Sequence, residues 1–447
     1  MASVEEQVER KRPAEPVEAK DRVRSVDVLR GVALLGILAM NIVAFAWPDG
    51  VDSNPLLDPG AGSLDVGLWA LNHVVFDTKM MSLFSMLFGA GLVLMADRAR
   101  ARGTRLVWVY YRRIFWLLVI GLIHAYLIWG GDILVEYAAC GFLLYPLRKL
   151  RPRTLIVIGL CLNLVFVPMF LGFRAYLVPF LRETAARAEA KERAGQPVKE
   201  WEKSVRDSWK EITTRDSREG FLKEMAWHRS SYFQVVKHRA SEVIWMHLLG
   251  IPFVMIELSG GRMLIGMGLM KLGVFSTACS RRTYLTMMLV GYGLGLPLMG
   301  LDVYNEMTHG FFADHWIDRV LHGGFFLTLL GSLPVVFGHI GAVMLVCQSQ
   351  ALPWLTRRLA AVGQMALSNY LFHSILFTTV FNGYGLDLYG SIHRPMLYVF
   401  VLLVWAFQLW LSPVWLASFR YGPAEWVWRS LTYGKLQPLC LPIQSGR

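Results

Sequence analysis

The sequence predicts an all-α protein: a polytopic transmembrane helix bundle of about ten spans, with both termini cytoplasmic. Three observations point there. Of its 447 residues 55% are hydrophobic and 16 are tryptophan, more apolar surface than a soluble domain can hide. The apolar residues fall in runs of about 20, the length that crosses a bilayer core as helix. The basic residues cluster between those runs, at Arg22 and Arg24, at Arg98 to Arg105, at Arg148 to Arg153, at Arg281 and Arg282, and at Arg357 and Arg358. All of these fall on one side of the predicted spans, and the positive-inside rule makes that side cytoplasmic. The net charge of +12 is therefore loop asymmetry and not a nucleic-acid signature.

In order, residues 1–24 are charged and Pro-containing and are expected to be disordered. An N-terminal bundle over 25–180 follows, with spans near 25–47, 79–97, 107–129, 133–150 and 154–178. A long mixed-charge segment, 181–240, faces outward by parity, either as a cap over a site or as a solvated amphipathic excursion. A C-terminal bundle over 241–437 places spans near 243–275, 283–302, 319–346, 360–383 and 396–417, and 438–447 is a tail. The stretch 241–276 is too long for one straight span; Gly260-Gly261 suggests an in-plane or re-entrant helix before the crossing. The acidic turns Asp49 to Asp65 and Asp302 to Asp318 face outward. The five cysteines lack metal or disulfide spacing and read as small buried residues.

The first span, SVDVLRGVALLGILAMNIVAFAW, carries more polarity than an anchor needs. Ser25 can cap it, and Asp27 sits where the helix dipole favours an anion. Arg30 and Asn41 are eleven residues apart, which returns them to nearly one face, about 16 Å apart along the axis. The spacing recurs in the third span, where Arg113 and His124 share a face, with Arg112 beside Arg113 at the cytoplasmic edge. Beyond His124 come Gly130, Gly131 and Asp132, and then Glu136 one turn further. His124 beside Asp132 would make a general-base pair, the carboxylate orienting the imidazole; the alternative is a His124 that bonds between helices and an Asp132 that caps the fourth span. Weaker candidates are Lys79, which meets an anion or snorkels to the interface, and His73 in reserve. Asn369 and His373 either close a polar cavity or bond between helices. Gly89 and Gly91 permit close helix contact. Trp426, Trp428, Arg429 and Lys435 read as an interfacial anchor. There is no Walker loop, GxGxxG, HExxH or GxSxG, and no metal-ligand cluster, so no metal is expected.

Four stretches, RSVDVLRGVALLGILAMNI, KMMSLFSMLFGAG, GLIHAYLIWGGDIL and AVGQMALSNYLFHS…YGPAEWVWRSLTYGK, together resemble the YeiB family of bacterial integral membrane proteins, whose C-terminal half is a domain of unknown function. The resemblance covers about 22–437 except 181–240 and implies a multi-pass protein of the bacterial plasma (inner) membrane. Met80 stands where the family has Phe, and His373 where Gln is frequent, which weakens His373 as a catalytic residue. The first span is also similar to that of heparan-alpha-glucosaminide N-acetyltransferase and of the acyltransferase-three family. That similarity implies transfer of an acyl group from cytoplasmic acyl-coenzyme A, acetyl-coenzyme A first among them, to an extracytoplasmic hydroxyl or amine on a sugar, lipid or small metabolite. In the acyltransferase-three pattern a histidine follows the first-span arginine by eleven residues; Asn41 replaces it here, so Asn41 can orient a carbonyl or an oxyanion but cannot be the base.

The resulting expectation has Arg30, Arg112 and Arg113 gripping coenzyme A phosphates, although each also suits positive-inside anchoring. The pantetheine arm threads between the first and third spans, and His124, supported by Asp132, acts as base beside Asn41. Expected partners are the bilayer, acyl-coenzyme A and the acceptor, with no nucleic acid; a homodimer is compatible. The alternatives are a secondary transporter or exporter, which intramembrane polar groups also suit, and a noncatalytic scaffold or sensor with 181–240 as its partner-binding element.

Overall fold

The computed structural model describes residues 22–165, 168, 172–215, 218–250, 259–312 and 324–441. The expected disordered N-terminus up to residue 21, the middle of the 243–275 span, the start of the 319–346 span and the acidic turn from 313 to 318 lie outside them, as does the end of the tail. Among the described residues the fold is helical, with one isolated antiparallel bridge between Phe419 and Cys440.

In chain order the helices are α1 (Arg24–Ala46), α2 (Ser63–Val75), α3 (Lys79–Ala101), α4 (Val107–Ile123), α5 (Leu134–Leu147) and α6 (Pro152–Leu164). Then come α7 (Val178–Arg193), α8 (Glu200–Arg215), α9 (Arg218–His228), α10 (Tyr232–Trp245) and α11 (Gly261–Lys271). The last six are α12 (Arg281–Thr308), α13 (Gly324–Ser349), α14 (Pro353–Gln364), α15 (Ala366–Phe381), α16 (Arg394–Ser418) and α17 (Pro423–Tyr433). Six helical segments among the described residues are long and apolar enough to cross a bilayer, and α5, α6 and α15 are shorter apolar helices, where about ten spans are expected. This is a multi-pass membrane protein.

Burial separates the centre from the rim. The apolar window of α1 is 72% buried, whereas those of α12 and α16 are 22% buried. The outward faces of α12 and α16 carry Leu289, Leu294, Leu402, Leu403 and Trp410, all exposed, as lipid-facing helices require. Central α1 reaches α14 through two glycines. A Cβ on Gly363 would collide with the Asp27 carbonyl oxygen, and one on Gly31 with that of Leu359. Gly363→Leu should therefore cost more than about 4 kcal/mol, read as loss of the monodisperse detergent-solubilised protein. Gly293→Leu, on α12 with open space around it, should leave the elution profile unchanged; equal behaviour of the two would remove the crossing as a stability determinant.

Several expectations change. Ser25 does not cap α1: the helix starts one residue earlier, after Val23, and the Ser25 hydroxyl instead donates to the Phe275 carbonyl at 2.6 Å. The 360–383 span is two helices, α14 and α15, broken at Met365. Asp302 is not in an outward turn, because α12 runs on to Thr308 and buries it against His73 Nε2 at 2.9 Å. Lys79 does not snorkel; it is fully buried and donates to the His73 carbonyl at 2.6 Å. Gly260-Gly261 opens α11, which is buried from Gly261 to Leu269 and at 11 residues is too short to cross alone. Among the cysteines only Cys140 is buried; Cys161 and Cys440 are exposed.

The basic clusters do gather at one end. Arg24 donates to Thr356 Oγ1 at 3.1 Å, and Lys271 to the carbonyls of Arg148 and Leu150 at 2.6 Å. This is called the arginine end below. The excursion α7–α10 sits at the far end, where the Asp49 amide donates to Glu224 Oε1 at 3.0 Å and Arg229 to the Tyr389 carbonyl at 2.6 Å. There His393 Nδ1 lies 2.8 Å from Asp58 Oδ2, a hydrogen bond that holds the imidazole pKa above its ordinary value. The pair therefore contributes fully below the unfolded histidine pKa of about 6.5 and loses its contribution as pH rises through the higher folded value. The imidazole is more than half exposed, so the pair is worth less than about 1 kcal/mol. The melting-temperature gap between wild type and His393→Gln should be widest near pH 6 and close with rising pH; a gap that widens would reverse the assignment.

Candidate functional site

A carboxylate organises the arginine end. Asp27, buried in the first turn of α1, accepts from Arg22 Nε and Nη2, both at 2.9 Å, and from Arg30 Nη1 at 3.2 Å. It holds two guanidiniums side by side that would otherwise repel. Arg113 comes from α4, its guanidinium 3.9 Å above the ring of Trp428 on α17, and Trp428 Nε1 donates back to the Arg113 carbonyl at 2.9 Å. Arg429 is the next residue of α17. These four arginines line the mouth of a cavity walled by α1, α3, α4, α15 and α17.

The cavity narrows between apolar walls. Phe84, Phe88, Leu92 and Met95 come from α3, Ile114 and Leu117 from α4, and Leu367 from α15. Gly91 leaves room for Arg30, whose Nη2 would lie 3.4 Å from a Cβ there. Glu425 of α17 also lines the mouth, but its oxygens are committed: Oε1 accepts from the Leu367 amide at 2.6 Å and the Ser368 amide at 3.1 Å, and Oε2 from the Ser368 hydroxyl at 2.5 Å. It satisfies the orphan amides at the start of α15 just after the break, and burial raises its pKa. The inner end is closed by Tyr137 and Tyr370.

Behind Tyr370 sits His124, fully buried, with ring centroids 5.0 Å apart. At His124 the α4 helix loosens into one π turn, and the Trp129 amide bonds to the His124 carbonyl at 2.9 Å; such turns recur at functional sites. His124 Nδ1 lies 2.7 Å from Asp132 Oδ1, and Nε2 lies 2.8 Å from Ser374 Oγ on α15. The other Asp132 oxygen accepts from the Val135 amide at 2.7 Å and closes the first turn of α5. Asp132 thus contacts the imidazole with one oxygen and caps α5 with the other.

The remaining candidates are elsewhere. Asn41 is half-buried on α1; it does not line this cavity and, among the described residues, has no hydrogen bond to His124. Arg112 turns away from the cavity to the Leu431 carbonyl at 2.9 Å. Glu136 does not pair with Asp132 and bonds Ser259 instead. Asn369 Nδ2 lies 3.2 Å from both the Val362 carbonyl and Ser412 Oγ, and His373 Nε2 lies 3.0 Å from Gln408 Oε1, so both serve the α15–α16 contact. Lys79 and His73 belong to a separate buried group with Asp302. Sequence reasoning missed Ser374 and Tyr370, took Arg22 only as a topology signal, and gave Trp428 and Arg429 to an interfacial anchor. A serine four residues after a tyrosine in an apolar helix gives no signal by itself.

The family described as a protein of unknown function, DUF418, matches residues 269–435. The chain is 30% identical over 431 residues to YxaH of Bacillus subtilis strain 168, covering 95% of this chain and 98% of that one. It is 30% identical over 423 residues to YeiB of Escherichia coli strain K12, covering 92% and 96%. Both relatives are described as uncharacterized proteins. No solved structure matches the chain significantly.

Proposed function

The chain belongs to the YeiB family, and on that premise we propose that it is a membrane-embedded acyltransferase. It moves an acyl group from acyl-coenzyme A, acetyl-coenzyme A in the first instance, to a hydroxyl or amine acceptor at the opposite face. One observation carries the reading: a cavity with four arginines at its mouth and apolar walls ends at a tyrosine packed on a buried histidine–carboxylate pair.

The mouth sets four guanidiniums against two carboxylates, Asp27 paired with Arg22 and Arg30 and Glu425 held at the start of α15, and this excess of positive charge suits a ligand with several phosphates. From Arg113 to His124 the helix rises about 16 Å, on the order of the reach of an extended phosphopantetheine arm. The arm runs along α3 and α4; α1 contributes Arg30 at the entrance. Asp132 holds the imidazole by Nδ1, leaving Nε2 as the proton acceptor of the transfer. The arginine end is the cytoplasmic side by the positive-inside rule, and the helical spans suit the bacterial plasma membrane.

Melting of the detergent-solubilised protein tests this. Acetyl-coenzyme A at a hundred times its Kd should stabilise the native form by about 2.7 kcal/mol, seen as a higher Tm, with coenzyme A giving a comparable rise and pantetheine little. A Tm unmoved by any thioester or by coenzyme A would end the acyltransferase reading and turn attention to transport.

A further inference from the structure

We propose that Ser374 is the nucleophile of the transfer and carries the acyl group as a serine ester, relaying it from coenzyme A to the acceptor. This rests on the acyl-transfer reading and adds a covalent step to it.

The geometry is that of an activated serine. Ser374 Oγ, His124 and Asp132 form a continuous hydrogen-bonded line, with 2.8 Å from Oγ to Nε2 and 2.7 Å from Nδ1 to Oδ1, and all three side chains are buried. Asp132 fixes the direction of the line. A carboxylate only accepts, so with a neutral imidazole it takes the Nδ1 proton; Nε2 must then accept, and the Ser374 hydroxyl must donate to it. That is the polarity in which a base activates a hydroxyl. Asp132 is itself immobilised by the Val135 amide.

The local helix supports the same conclusion. A serine or threonine inside an apolar helix ordinarily donates to the carbonyl four residues back. On α15, Thr378 does so to Ser374 at 2.6 Å and Thr379 to Ile375 at 2.7 Å. Ser374 stands 3.5 Å from the Tyr370 carbonyl, at the limit of a hydrogen bond, and its short contact is with His124. Tyr370, one turn earlier on α15, separates Ser374 from the cavity, and its hydroxyl lies 3.4 Å from the Gly131 carbonyl.

The chemistry closes. Ser374 Oγ attacks the thioester carbonyl as its proton passes to His124 Nε2. The C–S bond breaks, coenzyme A takes that proton and leaves as the thiol, and Ser374 keeps the acyl group. The acceptor hydroxyl or amine then attacks the ester and gives its proton to His124, which returns it to Ser374 Oγ as the ester C–O bond breaks. Donor and acceptor need never occupy the site together, which suits reactants arriving from opposite faces.

The purified full chain is incubated with acetyl-coenzyme A without acceptor, and separately with a fluorophosphonate probe, and labelled peptides are mapped by mass spectrometry while coenzyme A thiol is titrated. The expected result is one acetyl group on Ser374 with a matching burst of thiol, and probe on the same residue. Both labels should be absent from Ser374→Ala and His124→Ala. Ser374→Cys, the closest replacement, should regain acetylation as a thioester if the alanine variant misfolds. If acetyl-coenzyme A raises the Tm of wild type but neither reagent marks Ser374, the relay is overturned and direct transfer remains. If the probe marks Ser374 while no thioester binds or releases thiol, the donor is wrong, and the relay falls together with the acyltransferase reading.

Discussion

His124→Ala should lower acyl transfer by about 10³-fold while leaving the protein monodisperse and able to bind coenzyme A. The side chain touches Asp132, Ser374 and the Tyr370 ring, and the substitution leaves the arginine-lined mouth of the cavity as it was. The expected signature is therefore a fall in kcat with the Kd for coenzyme A within about threefold of wild type. Asp132→Asn should lower kcat by a comparable factor, because with its oxygen kept by the Val135 amide the Asn turns a donor to Nδ1 and places the imidazole proton on Nε2. Purified His124→Ala that turns over at the wild-type rate would remove this histidine from the chemistry.

Arg113 and Arg112 are neighbours in sequence and should behave as opposites. Arg113 lines the cavity, stacked on Trp428, whereas Arg112 is spent on the Leu431 carbonyl outside it. Arg113→Gln should weaken coenzyme A binding by about 10- to 100-fold, the loss expected for a charge-assisted phosphate contact, and should reduce the salt dependence of binding. Arg112→Gln should change affinity by less than about twofold. Titration calorimetry decides it: equal losses for both would mean that only bulk positive charge matters, and no loss at Arg113 would move the phosphate site elsewhere.

Much of this was legible in the sequence, and what was not has identifiable causes. Helix periodicity placed Arg113 and His124 on one face of α4, and proximity along the chain let Asp132 be matched to His124. The same arithmetic put Arg30 and Asn41 together on α1, yet only Arg30 reaches the cavity. Past Arg30 the α1–α3 seam is closed by Met80 and Phe76, whose side chains would meet any Cβ on Gly36. A shared face says nothing about what covers each part of it. Ser374 and Tyr370 were hidden because α15 scatters Ser368, Asn369, His373, Ser374, Thr378 and Thr379 among its apolar residues, so its pattern marks no single functional face. The role of α17 was hidden for the opposite reason. Its Trp and Arg residues look like an interfacial anchor, and only docking by Glu425 onto the start of α15 turns them toward the cavity. The break at Met365, which exposes the amides Glu425 satisfies, follows no proline or glycine at that position.

The docking of α17 also has a consequence for biosynthesis. The contact between Trp428 and Arg113 joins residues 315 apart, so the mouth stays unfinished until a late stretch of the polypeptide has left the ribosome and folded back. A nascent chain halted before residue 423 has inserted the walls of the tunnel but lacks the Arg429 guanidinium, the Trp428 platform and the Glu425 clamp. Assembly order alone thus leaves the arginine cluster incomplete until the bundle is built.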